Sequence, residues 1–275
     1  TLVFSDSDVS VLYGLEALAS VTLAELRVDA SFTGLIGLGS YDDEGGYFQY
    51  RPQYLRTRAS LVTIGAGDGG GTGRIKLDLQ DTPTQVMILR TGTPQDFGRK
   101  AVSLIATHIA NILNVLSGSV EVAAEPGSVS TFATSRISFL ENPVSDSEVR
   151  FGPGATLNTV IVQGGIVDIS SNTSLLTIYD GEVTIHDGTH ADIDQFGGVL
   201  HYNSAGPITD LLVSAATADF SRDPRPKEVA NPIQAYRGAV IRDPFGVLVA
   251  AGLDIANNTG GIEYVSPPSR TLRVL

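Results

Sequence analysis

Residues 157–224 read LNTVIVQGGIVDISSNTSLLTIYDGEVTIHDGTHADIDQFGGVLHYNSAGPITDLLVSAATADFSRDP. In this stretch an apolar alternating run, a turn of small residues and a second alternating run recur four times. Large apolar residues recur at intervals of 16, 17 and 18 positions in two columns, which are Ile169, Ile185, Tyr202 and Phe220, and Val160, Leu176, Ile193 and Leu211. The agreement of two independent columns indicates a structural repeat.

A repeat of this length predicts coils that stack on one another. Side chains alternate between the two faces of a strand, so a column that recurs once per coil fills an interior shared by neighbouring coils. We therefore expect an all-β chain that forms a right-handed parallel β-helix (β-solenoid) with coils of about 17 residues.

The repeat weakens on both sides of this stretch. We expect residues 1–60 to form an N-terminal β segment (first coils or an attachment region), 61–224 the β-helix, and 225–275 irregular terminal coils. Pro224, Pro226 and Pro232 limit ladder pairing and predict a loop or a broadened coil at 222–232.

Two segments have spacings that also fit helices, 15–29 (LEALASVTLAELRVD) and 101–116 (AVSLIATHIANILNVL). Strands are favoured because both segments run into the small-residue turns seen in the later coils. The helical alternative remains open at this point.

Composition excludes several classes of partner. The formal net charge is −12, which disfavours nucleic acid and anionic lipid. Cysteine is absent, so no disulfide framework or thiolate metal site is expected, and no apolar run reaches the length of a membrane helix, so no membrane insertion is expected. The start at Thr1, without an initiator Met or a charged signal head, suggests a fragment or a processed product.

Several motifs together resemble a family of largely uncharacterised β-helical proteins encoded in bacteriophage genomes. They are VLYGL at 11–15, ASFTGLIG at 30–37, the loop 65–75 ending in GRIK, THIAN at 107–111, and DFSRDP at 219–224. The resemblance implies a virion structural protein, such as a capsid decoration, head fibre, tail fibre or spike, and it supplies no catalytic residue. The implied location is the virion, and the implied partners are other virion proteins. Self-association as a trimer and contact with a cell-surface glycan are further candidates, while a monomeric decoration would fit the same coil pattern.

Two short motifs resemble ligand sites but are interpreted as turns. Residues 65–70 (GAGDGG) match a dinucleotide fingerprint, yet a strand-like run follows where that fingerprint requires a helix. His186 and His190 have metal-ligand spacing for a helix, but the intervening Asp187-Gly188-Thr189 marks a solvated turn.

The coil alignment predicts a trio of outward carboxylates at Asp192, Asp194 and Asp210. Solvent, a bound cation such as calcium, or a shared proton could relieve their repulsion. A second outward column, Asp168, Thr184, His201 and Asp219, is interpreted as a polar outer face.

Other outward features suggest contacts with partners. Ile161 and Leu212 are apolar and predicted to face outward, covered by a loop or by a neighbouring subunit. The acidic segment Tyr41–Tyr47 is read as an exposed loop, with carbohydrate or cation contact as the alternative.

The function predicted from sequence is that of a non-enzymatic virion component that needs no cofactor. The alternatives are a carbohydrate-binding or depolymerising β-helix spike and a bacterial surface adhesin. A groove that holds the three aspartates beside tyrosines would favour the spike.

Overall fold

The computed structural model describes residues 1–12, 21–38, 54–92, 100–137, 147–251, 253–254 and 263–265. Every regular element among them is a β-strand: β1 Leu2–Phe4, β2 Thr22–Asp29, β3 Leu55–Arg56, β4 Arg58–Ala66, β5 Ile75–Asp78, β6 Gln85–Ile88, β7 Val102–Ile105, β8 Ile112–Val115, β9 Gly118–Val122, β10 Ser130–Ile137, β11 Ser147–Phe151, β12 Ala155–Ile169, β13 Thr173–Ile185, β14 His190–Gln195, β15 Val199–Tyr202, β16 Ile208–Val213, β17 Thr217–Asp219, β18 Lys227–Val229, β19 Ile233–Ala235, β20 Val240–Arg242, β21 Leu248–Ala250, β22 Leu253–Asp254 and β23 Glu263–Val265. The all-β prediction is confirmed for these residues. Among the described residues of the two ambiguous segments, the regular elements are the strands β2, β7 and β8, as favoured from the sequence. A helix able to cross a membrane is not found in this part of the chain.

The chain divides into two compact units, residues 1–155 (unit 1) and 156–275 (unit 2). Strands in both units pair in parallel, as expected when each strand lies beside the equivalent strand of the next coil. The predicted boundaries at 60/61 and 224/225 stay predictions.

Unit 2 contains two stacks of parallel strands. The long strands β12 and β13 contribute to both stacks: their first halves belong to the first stack and their second halves to the second stack. The first stack continues through β14 and β16, and the second through β15, β17, β20 and β23. The register places Val160 opposite Leu176, and Ile193 opposite Leu211, so the predicted columns are adjacent residues of the ladder.

Both predicted columns lie in the core of unit 2. Ile169, Ile185, Tyr202 and Phe220 are fully buried. Burial of each such side chain stabilises the fold by about 1.5–3 kcal/mol. The phenol of Tyr202 donates a hydrogen bond to the carbonyl of Gly206 at 2.7 Å, which satisfies its polar end inside the core.

Turns between the two stacks bring successive backbones very close together. Gly165, Gly181, Gly198 and Ala215 occupy equivalent turns, with φ of 81°, 94°, 66° and 51°. Glycine adopts this left-handed conformation without strain. A Cβ on Gly198 would lie 2.3 Å from the carbonyl oxygen of Gly181, so this turn also leaves no space for a side chain.

The interval between paired residues lengthens after Phe220. Thr217 pairs with Val240, 23 positions on, whereas pairs before it are 16 to 18 positions apart. The broadened coil predicted from the prolines at 222–232 is confirmed by this register.

Unit 1 also has two parallel stacks, but its intervals are longer and uneven. One stack is β1, β2, β4, β6, β8 and β10, and the other is β3, β5, β7, β9 and β11. Along the first stack the buried residues Leu26, Val62, Val86 and Leu113 pair at intervals of 36, 24 and 27 positions. Successive intervals of 16 to 18 positions are therefore found over 157–219, whereas in unit 1 an interval of 18, from Val102 to Val120, stands beside longer ones.

Candidate functional site

The three predicted carboxylates lie together on one outward face of unit 2. β14 and β16 place Asp192 opposite Asp210 and Asp194 opposite Leu212. Desolvation, followed by the nearby charge of Asp210, raises the pKa of both Asp192 and Asp194. The side-chain amide of Asn231 donates a hydrogen bond to Asp210 at 2.8 Å, which relieves part of the repulsion.

The geometry gives no support to a cation at this trio. Across the described ranges, no group of three or more histidine, aspartate or glutamate side chains is arranged to hold a metal ion. The calcium site at Asp192, Asp194 and Asp210 therefore stays a prediction.

The second outward column is more buried than a polar outer face would be. Asp168, Thr184, His201 and Asp219 follow one another in register, as the repeat predicts. Yet the side chains of His201 and Asp219 are only 9% and 10% exposed. The column is polar, as predicted, but neighbouring charged side chains cover His201 and Asp219.

His201 is the centre of that covered cluster. Its Nε2 lies 2.9 Å from the guanidinium of Arg222 and 3.2 Å from a carboxylate oxygen of Glu182, and its Nδ1 lies 3.3 Å from Asp219. The backbone N–H of Ser221 donates to Asp219 at 2.9 Å, which fixes that carboxylate. The cluster ties the broadened coil to the regular coils before it.

The two histidines of the predicted turn have different surroundings. His186 is exposed and its Nε2 lies 2.8 Å from Asp168. His190 is buried on β14, where its Nδ1 lies 2.7 Å from the hydroxyl of Thr173 and its ring meets Tyr202 edge-on. Burial lowers the pKa of His190 to about 4, so this imidazole is neutral. The solvated-turn interpretation is therefore wrong for His190, which faces the interior.

The glycine-rich segment 65–70 ends one strand and turns towards the next. Gly65 and Ala66 are the last residues of β4, residues 67–70 form a bend, and the next regular element is β5, a strand that begins at Ile75. A phosphate site of the dinucleotide type needs a helix at that point, so the interpretation as a turn is confirmed.

An open cleft of about 730 Å³ lies in unit 1. It is called the Arg56 cleft here, and it combines polar and apolar surface from Arg56, Asp78, Gln80, Asp81, Ile105, Thr107, Gly127, Ser128 and Val129. Its volume falls in the range of about 300–1,000 Å³ that is typical of ligand sites.

Three neighbouring strands hold one wall of the Arg56 cleft. Arg56 on β3 pairs with Asp78 on β5, which in turn pairs with Ile105 on β7. The Arg56 guanidinium lies 3.4 Å from the Asp78 carboxylate. Ladder hydrogen bonds fix the backbone positions of these three residues, so their side chains project from rigid strands.

Gln80 is held in an unusual conformation at the edge of the same wall. Its φ is +56°, a region that non-glycine residues seldom occupy. Its N–H donates to Asp78 at 2.9 Å, and its side-chain oxygen accepts a hydrogen bond from Arg58 at 3.2 Å. The side-chain NH₂ of Gln80 is thereby left to donate elsewhere.

Sequence reasoning missed the Arg56 cleft. Its wall residues lie 22 and 27 positions apart along the chain, at intervals that the regular repeat does not contain. The available signal was a polar residue at the end of a strand-like run followed by turn-forming residues, as at Asp78-Leu79-Gln80-Asp81.

Two exposed aromatic rings stack on the outer surface of unit 2. Tyr179 and Phe196 are 52% and 43% exposed, and their ring centroids are 5.6 Å apart at an interplanar angle of 21°. Ile161 and Leu212, predicted to face outward, are half-buried. The predicted loop at 41–47 lies outside the described residues.

No family model, curated protein or solved structure matches the chain. The resemblance to phage-encoded β-helical proteins consequently stays a prediction.

Proposed function

We propose that the chain is a right-handed parallel β-solenoid, with coils of about 17 residues over 157–220, and that it is a non-enzymatic structural component of a bacteriophage virion. The observation that carries the proposal is the in-register stacking of fully buried columns in unit 2. In such a stack each inner coil bonds to the coils on both sides, which suits a scaffold that bears contacts on its turns. The motifs that resemble phage-encoded proteins supply the virion assignment.

The proposed partners follow from the same assignment. They are other virion proteins and further copies of the chain, in a trimer, on a capsid decoration, head fibre, tail fibre or spike. The net charge of −12 argues against nucleic acid.

A second candidate function is binding of a cell-surface glycan, as on a spike or a bacterial surface adhesin. The observation that favours it is the open Arg56 cleft, which combines polar and apolar side chains. Depolymerisation has less support, because Asp192, Asp194 and Asp210 lie on an outward face beside Leu212 and Asn231, and none of them lines the Arg56 cleft.

Electron microscopy of intact particles tests the proposal. Antibodies against the chain, with gold labels, should mark purified phage particles at positions of fixed symmetry. Label on the bacterial envelope without particles would favour the adhesin, and particles that lack the label would refute the virion role. A density map at side-chain resolution would establish the coil length and the handedness.

A further inference from the structure

We propose that the Arg56 cleft binds an uncharged saccharide unit. The inference rests on the glycan-binding alternative of the proposed function and deepens it by naming the site and the class of sugar. Three properties of the cleft support it: its hydrogen-bonding groups, its apolar surface and its charge.

The hydrogen-bonding groups match those of a polyol. Each sugar hydroxyl donates one hydrogen bond and accepts others, so a complementary site offers donors and acceptors side by side. The cleft offers the guanidinium of Arg56, the carboxylates of Asp78 and Asp81, the amide of Gln80 and the hydroxyl of Thr107. Thr107 and Asp81 are exposed, so they meet a ligand without rearrangement of the core.

The wall is already ordered before any ligand arrives. Arg58 donates to the side-chain oxygen of Gln80, and the backbone N–H of Gln80 donates to Asp78. These two hydrogen bonds restrain the Gln80 side chain, so its NH₂ group is held in place for a ligand. A strained backbone such as that of Gln80 costs about 1–3 kcal/mol and is common where a ligand is bound. Preordering of this kind lowers the entropic cost of binding.

The cleft also has an apolar component. Ile105 is half-buried in the wall, and Val129 on the opposite loop is 54% exposed. Gly127 adds no side chain, and a Cβ there would meet nothing within 4 Å. The C–H face of a pyranose ring can therefore lie against Val129 while its hydroxyls meet the polar wall.

Charge selects an uncharged sugar over an acidic one. The single guanidinium of Arg56 is already 3.4 Å from Asp78, and Asp81 adds a second carboxylate to the lining. The chain as a whole carries −12. A uronic or sialic acid would be repelled by this field, whereas a neutral hexose would not.

Saturation-transfer NMR with the full chain tests the inference. The neutral probes are glucose, galactose, mannose, rhamnose and N-acetylglucosamine, and the acidic probes are glucuronic acid and N-acetylneuraminic acid. We expect at least one neutral probe to bind. Val129→Asp should weaken that binding about tenfold because it removes the apolar contact. Gln80→Asn should also weaken it about tenfold, because the side chain is one methylene shorter and its amide no longer reaches the sugar.

Val21→Asp is the matched control, since Val21 is an equally exposed valine of unit 1 outside the cleft, 49% exposed. It should bind the neutral probe as the unaltered chain does. Binding of acidic probes alone, equal binding by all variants, or binding of no probe would each overturn the inference. None of these results touches the virion role, which the labelling of particles tests separately.

Discussion

The stacked turns of unit 2 give a quantitative test of the fold through Gly198→Ala. Alanine at φ +66° would adopt the left-handed conformation, which costs roughly 1–2 kcal/mol. Its Cβ would also lie 2.3 Å from the carbonyl oxygen of Gly181, so two backbones must separate. Overpacking of this kind costs about 1–3 kcal/mol. We expect the free energy of unfolding to fall by about 3 kcal/mol in total.

Two further substitutions in the same unit separate these contributions. Gly238 has φ +77° but its nearest neighbour is at 3.4 Å, an ordinary contact, so Gly238→Ala should cost about 1 kcal/mol from conformation alone. Gly197 lies outside the left-handed region, yet its Cβ would be 2.1 Å from the carbonyl oxygen of Tyr179. Gly197→Ala should therefore cost about 2 kcal/mol from crowding alone.

Equilibrium denaturation in guanidinium chloride, followed by circular dichroism, measures all three variants. The order of destabilisation should be Gly198, then Gly197, then Gly238. Equal losses for Gly198→Ala and Gly238→Ala would refute the claim that neighbouring turns pack backbone against backbone.

Three other perturbations test the interior of unit 2. Burial lowers the pKa of His190 from 6.5 to about 4, so as pH falls the unfolded chain binds this proton first, and the free energy of unfolding drops by about 3 kcal/mol between those values. In a denaturation series from pH 7 to pH 4, His190→Gln should therefore reduce the fall of the free energy of unfolding with pH, and an unchanged fall would contradict the buried neutral imidazole. Phe220→Ala should cost about 3–5 kcal/mol by calorimetry, while the same change at Phe245, which is 55% exposed, should cost under about 0.5 kcal/mol. Asp223→Asn removes the carboxylate that lies 2.7 Å from the fully buried ammonium of Lys227, so it should lower the free energy of unfolding in urea by about 3–5 kcal/mol. The double variant with Lys227→Met should recover most of this loss, and no recovery would mean that Asp223 acts mainly through other partners.

The repeat could be predicted where coils are short and uniform. Between Leu157 and Phe220 the paired residues are 16 to 18 positions apart, so equivalent side chains recur at a detectable interval and the buried columns follow from alternation alone. In unit 1 the partner of Leu26 is Val62, and the partner of Val62 is Val86. Unequal intervals leave no period to detect.

The surroundings of individual polar side chains were harder to predict. Alternation placed His201 on the outward face correctly, but only the three-dimensional position of Glu182 and Arg222 shows that the ring is covered. His190 begins a strand, and the apparent turn motif concealed its inward orientation. Alternation predicts the face of the strand on which a side chain lies. Whether that side chain is buried depends on contacts with side chains that are distant in sequence.

The unequal intervals of unit 1 have a consequence for how the chain varies. The entropy lost on closing a loop grows only with the logarithm of its length. Lengthening a coil from 17 to 36 positions, the interval from Leu26 to Val62, therefore adds only about 0.7 kcal/mol to the closure cost. Insertions at the turns should therefore change the free energy of unfolding little, provided that the buried residues keep their pairing. The scaffold can thus acquire new surface loops while its ladder stays the same.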